Sequence, residues 1–265
     1  MPSSNLPATS RENENIWPTP TISSLNNKQL ALFYGYSQIP SNYIIDHILA
    51  VRTKAWEIHP RPYIGQLRFL DLTLSASPSY PKILNLLNND SDAKLLDLGC
   101  CFGQDIRKLI HDGLGFDCFL DRGKIGATFL IANIFDLESP LKALEGKMSV
   151  VSTGLFLHQF NIDEQRVACE RIVALLKPEK GALVVGQQVG SLTLSDVAFR
   201  GGKSVTRHCE ETFRELWEEV GEKTGSRWTV SAKLDEGLGW NIGEGTGAWD
   251  DPDTRRLCFE VKRLA

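Results

Sequence analysis

The sequence predicts an α/β protein with a mostly parallel sheet, and three observations carry this prediction. Residues 93–97 form a short apolar run that leads into a glycine turn and then an amphipathic helical pattern. Further apolar runs alternate with helical patterns along the chain, as they do in parallel sheets with helical crossovers. Near the C-terminus the apolar residues alternate strictly, which is typical of antiparallel strands.

The composition favours a globular protein that handles small molecules. The 265 residues are 42% hydrophobic and 23% charged, and they carry a net charge of −4. This charge provides no electrostatic basis for binding nucleic acid or an anionic membrane surface. The six cysteines include no C-x-x-C pair, so we expect reduced thiols and no metal site. No signal peptide or membrane-spanning run is present, so the expected location is cytoplasmic.

Three segments divide the chain. Residues 1–28 are rich in Ser, Asn, Pro and Thr, which predicts a flexible N-terminal arm. Residues 29–90 contain three helical patterns before the first core strand, which predicts a helical cap. One of these patterns begins at Ser41 and stops at Pro60. Residues 91–265 are expected to form the core.

The core is predicted from its apolar runs in order. After the glycine turn, residues 128–134, 148–152 and 181–186 are strand candidates. Residues 163–176 form an amphipathic helical pattern that ends before Pro178. The alternating runs near residues 228–234 and 257–261 predict a C-terminal antiparallel hairpin.

The chemistry is expected at the turn after the first core strand. Asp97 ends that strand, and Gly99, Cys100 and Gly103 follow it. Open α/β sheets bind ligands at the carboxyl ends of their strands, and glycine lets the backbone approach a ligand closely. The following helix N-terminus suits a carboxylate. Asp97 alternatively serves only as a turn or capping acid. The spacing is neither G-x-G-x-x-G nor a P-loop, which disfavours a nucleotide-dependent oxidoreductase.

The stretch from Asp97 to Gly103 resembles the first motif of class I S-adenosylmethionine (SAM) dependent methyltransferases, which have a Rossmann-like fold. A wider set of segments resembles a fungal group of methyltransferases from secondary-metabolite pathways, notably meroterpenoid pathways. These segments are residues 56–60, 64–70, 95–105, 152–158 and 216–221.

The resemblance implies SAM as cofactor, a homodimer and O-methylation of a small molecule, expected to be a carboxyl group on a terpenoid or meroterpenoid. No nucleic-acid or membrane partner is expected. The implied cofactor-binding residues lie in the glycine turn and after the third-motif and following strands. They are Asp97, Gly99, Cys100, Gly103, Ala132, Asn133, Ile134 and Thr153.

The sequence departs from the class I pattern after the first helix. Class I enzymes place a second strand there, usually ending in an acid that binds the ribose hydroxyls of SAM. Between Gly113 and the run at 128–134 no such strand is evident, so the second core strand is expected to be deleted. Either the deletion is real and leaves a SAM-independent or inactive relative, or the encoded sequence lacks part of an exon.

The remaining site candidates each have a structural alternative. His158 is a candidate base or substrate contact, or a packed histidine at a helix start. Methyl-ester formation needs no base, because a carboxylate acceptor is already ionised near neutral pH. Asn133 either contacts the adenine or occupies an ordinary turn. The candidate substrate contacts, for which packing or surface positions are the alternative, are His59, Tyr63, Gln66, Arg68 and Gln188.

Overall fold

The computed structural model describes residues 22, 25–59, 62–114, 127–198, 202–235 and 252–265. These residues fall into two compact units. The first contains residues 25–59 and 62–71, and the second contains residues 72–114, 127–198, 202–235 and 253–265. Most of the predicted N-terminal arm lies outside the described residues.

The first unit is helical, as the spacing of its apolar residues predicts. Helix α1 (Asn27–Leu30) is capped by Asn26 and continues as a π-helical turn to Tyr36. Helix α2 (Ile44–Ile58) follows a single turn that begins at Ser41, and α3 (Pro62–Gly65) is short. The expected helix from Ser41 is therefore confirmed, and it ends immediately before His59 and Pro60.

The second unit is built on a five-stranded sheet with the order β1-β2-β3-β7-β6. The first three of these strands are parallel neighbours, whereas β7 is antiparallel to both β3 and β6. This arrangement confirms the predicted α/β class, with its parallel strands and antiparallel C-terminal hairpin. The strands are β1 (Leu95–Asp97), β2 (Val150–Ser152), β3 (Leu183–Ser191), β6 (Trp228–Asp235) and β7 (Thr254–Arg263).

Helices cover both faces of the sheet. One apolar cluster joins the sheet to residues of α6 and α7, with Phe213 and Trp217 wholly buried. The opposite cluster joins Val150 and Val185 to residues of α4 and α5. Such burial on both faces explains why the parallel strands are continuous apolar runs. The helices are α4 (Tyr80–Asn89), α5 (Gln104–Leu109), α6 (Ile162–Leu175) and α7 (Glu210–Thr224).

The expected strand at residues 128–134 is not formed, and this prediction was wrong. The described residues 127–133 have no regular secondary structure. Phe129 is 50% exposed, Leu130 44% and Ile131 99%. Within the described part of the chain, β1 pairs with β2 alone. A strand needs a hydrogen-bonded neighbour, and no described segment supplies one for this apolar run.

We expect Ile131→Ala and Ile134→Ala to differ sharply in stability. Ile131 is almost fully exposed, so its truncation should change the free energy of unfolding by less than about 0.5 kcal/mol. Ile134 is 5% exposed within the main core, so its truncation should cost about 2–5 kcal/mol. Urea denaturation of both variants measures the difference. Equal losses would show that residues 128–134 form a buried strand after all.

The sequence did not predict a small hairpin that follows β3. Strand β4 (Ser195–Ala198) pairs antiparallel with β5 (Ser204–Arg207) in a separate two-stranded sheet. The Thr206 hydroxyl donates to Asp196 across the pair at 2.5 Å. The strands are too short for the alternation of apolar residues to be visible in the sequence.

Candidate active site

The glycine turn lies where the sequence places it, directly after β1. Gly99 has φ +72° and Gly103 has φ +68°, and both values favour glycine. A Cβ on Gly99 would lie 3.1 Å from the Phe156 ring, so even the smallest side chain would press against that ring. The Gly103 amide donates to the Cys100 carbonyl at 2.6 Å and closes the turn. Gly103 is also the first residue before α5, so strand, turn and helix are continuous.

Asp97 is partly buried and interacts with a second acid, Asp105. Burial raises the pKa of the Asp97 carboxyl, and the charge of Asp105 raises it further, while a hydrogen bond with Ser152 opposes the shift. Two carboxylates that lie close together repel each other strongly where little water is present to screen their charges, so each disfavours the charged form of the other. A cation bound beside Asp97 would therefore be stabilised by it.

Sequence reasoning missed Asp105, although it lies in the first turn of α5. Its side chain is 4% exposed. It accepts hydrogen bonds from the Thr73 hydroxyl at 2.8 Å and from the Leu74 amide at 2.9 Å. Burial still raises the pKa of this carboxyl, although these bonds favour the charged form. Asp105 thus ties the glycine turn to residues 73–74, a contact between distant parts of the chain that no local motif indicates.

Aromatic rings link the glycine turn to the residues that follow the unformed strand. Phe156, which contacts Gly99, lies 5.2 Å from Phe160 in an edge-to-face pair, measured between ring centroids. Phe135 lies 5.0 Å from the other side of the Phe160 ring. Phe129 lies against Gly103, where an added Cβ would be 2.8 Å from its ring. The start of the apolar run therefore lies close to the turn without pairing as a strand.

The three predicted residues at 132–134 occupy different environments. Ala132 and Asn133 are exposed, whereas Ile134 is buried in the main core. The Asn133 carboxamide oxygen accepts from the Phe135 amide at 3.1 Å, and its backbone carbonyl accepts from the Asp136 amide at 3.2 Å. Asn133 thus forms an Asx turn, which is a common local role of asparagine in turns.

The segment after β2 reaches across to β3. The Thr153 amide donates to the Val185 carbonyl at 2.9 Å, and the Leu155 amide donates to the Gln187 carbonyl at 2.7 Å. Thr153 is fully buried. His158 is half-buried on the single helical turn Leu157–Gln159.

The predicted substrate contacts in the cap belong to the first unit. His59 is exposed, and its amide donates to the Ala55 carbonyl at 2.8 Å to end α2. Tyr63 and Gln66 are half-buried. Arg68 is 7% exposed, with its Nε 3.6 Å from Asp71, and burial lowers the pKa of its guanidinium to about 10. Gln188, the fifth predicted contact, is fully buried on β3 in the second unit.

Within the described ranges, no group of three or more His, Cys, Asp or Glu side chains is placed to hold a metal ion.

Cys100 is half-buried in the glycine turn. Burial raises the pKa of its thiol, and the charge of Asp97 raises it further. This thiol is therefore poorly suited to act as a nucleophile or metal ligand.

Comparison with known proteins decides the family. Residues 17–70 match the meroterpenoid methyltransferase N-terminal domain. O-methyltransferase atr3 of Stereocaulon alpinum is 39% identical over 97% of this chain and 79% of its own length. The asnovolin E/chermesin D methyltransferase nvfJ of Aspergillus novofumigatus is 31% identical over 91% of both chains. This chain belongs to the same family of fungal methyltransferases.

The alignment with atr3 also shows a difference in length. The aligned stretch with atr3 runs over 279 positions, which exceeds the 265 residues of this chain. The relative therefore has internal residues without a counterpart here. The absence of a second core strand after Gly113 predicts an internal deletion of this kind.

Solved structures resemble this methyltransferase less closely. A phosphoethanolamine N-methyltransferase 2 of Haemonchus contortus superposes with a TM-score of 0.49 and 12% identity, over 78% of this chain and 59% of that one. At these values the likeness says nothing about the reaction or the substrate.

Proposed function

We propose that this methyltransferase uses SAM to methylate an oxygen of a small secondary metabolite, namely a carboxyl group on a terpenoid or meroterpenoid intermediate. The glycine turn after β1 is the observation that carries the proposal. It combines Asp97, Gly99 and Gly103 at the carboxyl end of a parallel strand, where α/β sheets bind their ligands. The names of the relatives support O-methylation, since atr3 and phiE are both called O-methyltransferases.

The residues of the turn fit one end of SAM, which carries a positive charge on its sulfonium and amino groups. Asp97 has a carboxyl whose charged form is disfavoured by burial and by Asp105, so a bound cation would offset that cost. Gly99 has φ +72° and packs against Phe156, so the turn keeps this backbone shape only with glycine at this position. The acid that binds the ribose hydroxyls in class I enzymes follows the strand expected after Gly113. No described residue of this chain takes that place. The fit therefore rests on Asp97, Gly99 and Gly103.

When bound, SAM supplies an electrophilic methyl group. The protein then has to orient the acceptor oxygen and exclude water, because a carboxylate is already ionised near neutral pH. No general base is required, so His158 serves as a contact in this proposal and not as a proton acceptor. Gln188 of the second unit is proposed to contact the acceptor. The predicted substrate contacts of the first unit, His59, Tyr63, Gln66 and Arg68, stay proposals of their own.

Calorimetric titration with SAM and S-adenosylhomocysteine tests the proposal. We expect micromolar binding to the wild-type protein. Asp97→Asn should weaken it by about tenfold to a hundredfold, since a charged hydrogen bond contributes roughly 1.5–3 kcal/mol. Asp163→Asn is the matched control, because this exposed side chain lies at the start of α6. Wild-type binding that Asp97→Asn leaves unchanged would disprove the assignment of this turn.

A SAM-independent or inactive methyltransferase-like protein is the second candidate. Two observations favour it: the apolar run at Phe129–Ile131 is exposed, and the second edge of β1 has no described partner. The same titration separates the two. A cooperatively folded wild-type protein that binds neither SAM nor S-adenosylhomocysteine would establish this second function.

Two further expectations stay predictions. The homodimer implied by the family resemblance is a proposal that sedimentation equilibrium tests directly. The cytoplasmic location likewise stays a prediction. None of the described helices combines the length and the apolar composition needed to cross a membrane.

A further inference from the structure

Gln188 is an unusual buried residue, because neither atom of its amide has a hydrogen-bond partner among the described residues. Its side chain is fully buried, with 0% exposure. A primary amide can donate two hydrogen bonds and accept two through its oxygen. Buried polar groups in folded proteins are almost always paired, so an amide with both atoms unpaired needs a specific explanation.

Thr153 places a second unpaired group on the same side of the sheet. Its hydroxyl is fully buried and has no partner among the described residues. A Cβ added to Gly186 would lie 2.8 Å from this hydroxyl oxygen. Gly186 and Gln188 are two residues apart on β3 and therefore share a face. Gln188 therefore projects from the same face as the Thr153 hydroxyl, from a backbone position about 7 Å further along the strand.

The strand is closely packed on both sides of Gln188. A Cβ on Gly186 would lie 2.6 Å from the Phe259 ring, and a Cβ on Gly190 would lie 2.7 Å from the His208 carbonyl. Glycine on both sides of Gln188 thus lets neighbouring groups pack against the strand while a long polar side chain lies between them. The backbone at this point is three residues beyond the position where β2 ends, at the carboxyl edge of the parallel strands.

A second glutamine shows what a structural role looks like in this fold. Gln165 is also fully buried, but its amide nitrogen donates to the Phe160 carbonyl at 2.9 Å and to the Thr206 carbonyl at 2.8 Å. Gln165 thereby joins α6 to β5. Gln188 makes no such link, so burial of its polar end costs stability, whereas burial of an apolar residue of similar size would not.

We propose that Gln188 and Thr153 recognise the carboxylate of the methyl acceptor, and this inference rests on the proposed function. It assigns Thr153 to the acceptor, whereas the family resemblance implies a contact with SAM. One carboxylate oxygen accepts from the Gln188 amide nitrogen and the other accepts from the Thr153 hydroxyl. An alcohol offers one uncharged oxygen in place of two charged ones, so its hydrogen bonds to the two donors are weaker and both must reach a single atom. Both donors are neutral, so they orient the acceptor without neutralising the charge that makes its oxygen nucleophilic. The pair is therefore selective for carboxylic acids over the corresponding alcohols.

Thermal unfolding of the full chain tests this selectivity for acids over alcohols, and the measurement needs no SAM. The probes are farnesoic acid and abietic acid, each compared with its alcohol. We expect the acids to raise the Tm of the wild-type protein and the alcohols to leave it unchanged. Gln188→Leu and Thr153→Val should each abolish the acid-dependent shift. Gln165→Leu is the matched control, which should lower the Tm without ligand but retain the shift.

Three further measurements on Gln188→Leu test the same inference: its stability in urea, its affinity for SAM and its kcat/KM. Gln188→Leu should unfold at the same or a higher urea concentration than wild type, and SAM titration should give an unchanged Kd. With SAM present, its kcat/KM for a responsive acid should fall at least tenfold. Wild-type kcat/KM in Gln188→Leu, a clear loss of its stability, or no response of wild type to either acid would overturn the inference. Failure of the proposed function is read separately, as no SAM binding by the wild type.

Discussion

Trp217→Ala should destabilise the protein by about 3–5 kcal/mol, the range for truncating a large buried aromatic residue. Trp217 has 0% exposure in the main core and lies on the face of α7 that packs on the sheet. Its ring centroid is 5.4 Å from that of Trp228 on β6. The substitution therefore leaves a cavity between the helix and the antiparallel edge of the sheet. Urea denaturation followed by circular dichroism measures the loss.

Glu218→Ala supplies the control for that measurement. Glu218 is the next residue on α7 and is exposed, so its truncation should change stability by no more than about 0.5 kcal/mol. A loss below about 1 kcal/mol for Trp217→Ala would mean that α7 does not pack on the sheet as described. Comparable losses for both variants would indicate a general effect on the helix.

The stability of the protein should also contain a pH-dependent contribution from His208, lost on acidification. The His208 side chain is 1% exposed, and burial lowers the pKa of its imidazole from 6.5 to about 4. Between these two values the unfolded chain binds a proton that the folded chain does not. The contribution is therefore complete above pH 6.5 and falls as the pH drops towards 4, by up to about 3 kcal/mol.

The variant His208→Gln isolates this contribution. The unfolding free energy of wild type minus that of His208→Gln should fall steadily from pH 7 to pH 4. Using the difference removes the opposite trend from Asp97 and Asp105, whose pKa values are raised. His47→Gln, at an exposed position on α2, should leave the wild-type profile unchanged. A constant difference between wild type and His208→Gln across this range would contradict the burial of His208.

The elements that local patterns predict are those whose apolar faces are visible in the sequence. Helix α6 spans Ile162–Leu175, close to the predicted 163–176, and begins at an Asn161 cap paired with Glu164. The alternation that predicts the terminal hairpin reappears as the pairing of β6 with β7. In each case the spacing of the apolar residues and the residues that begin or end the element predict the same structure. Residues distant in the chain are not needed to determine it.

The run at residues 128–134 shows where that reasoning stops. Its composition is that of a buried strand, yet it has no regular structure, and Ile131 is exposed. A strand forms only when a neighbour satisfies its amides and carbonyls, and that neighbour comes from elsewhere in the chain. The missing second strand is visible in the sequence, but its consequence for the neighbouring run at residues 128–134 follows only from the pairing of strands in the fold.

The sequence by itself determined the class of the fold and the position of the glycine turn, because both follow from local periodicity and from the backbone freedom of Gly99 and Gly103. Only the tertiary structure decided which polar groups lack partners. Asp105 binds residues 73–74, and Gln165 binds two backbone carbonyls, whereas Gln188 binds none among the described residues. Hydrogen-bond satisfaction depends on groups far apart in sequence, so residue type and spacing cannot reveal it.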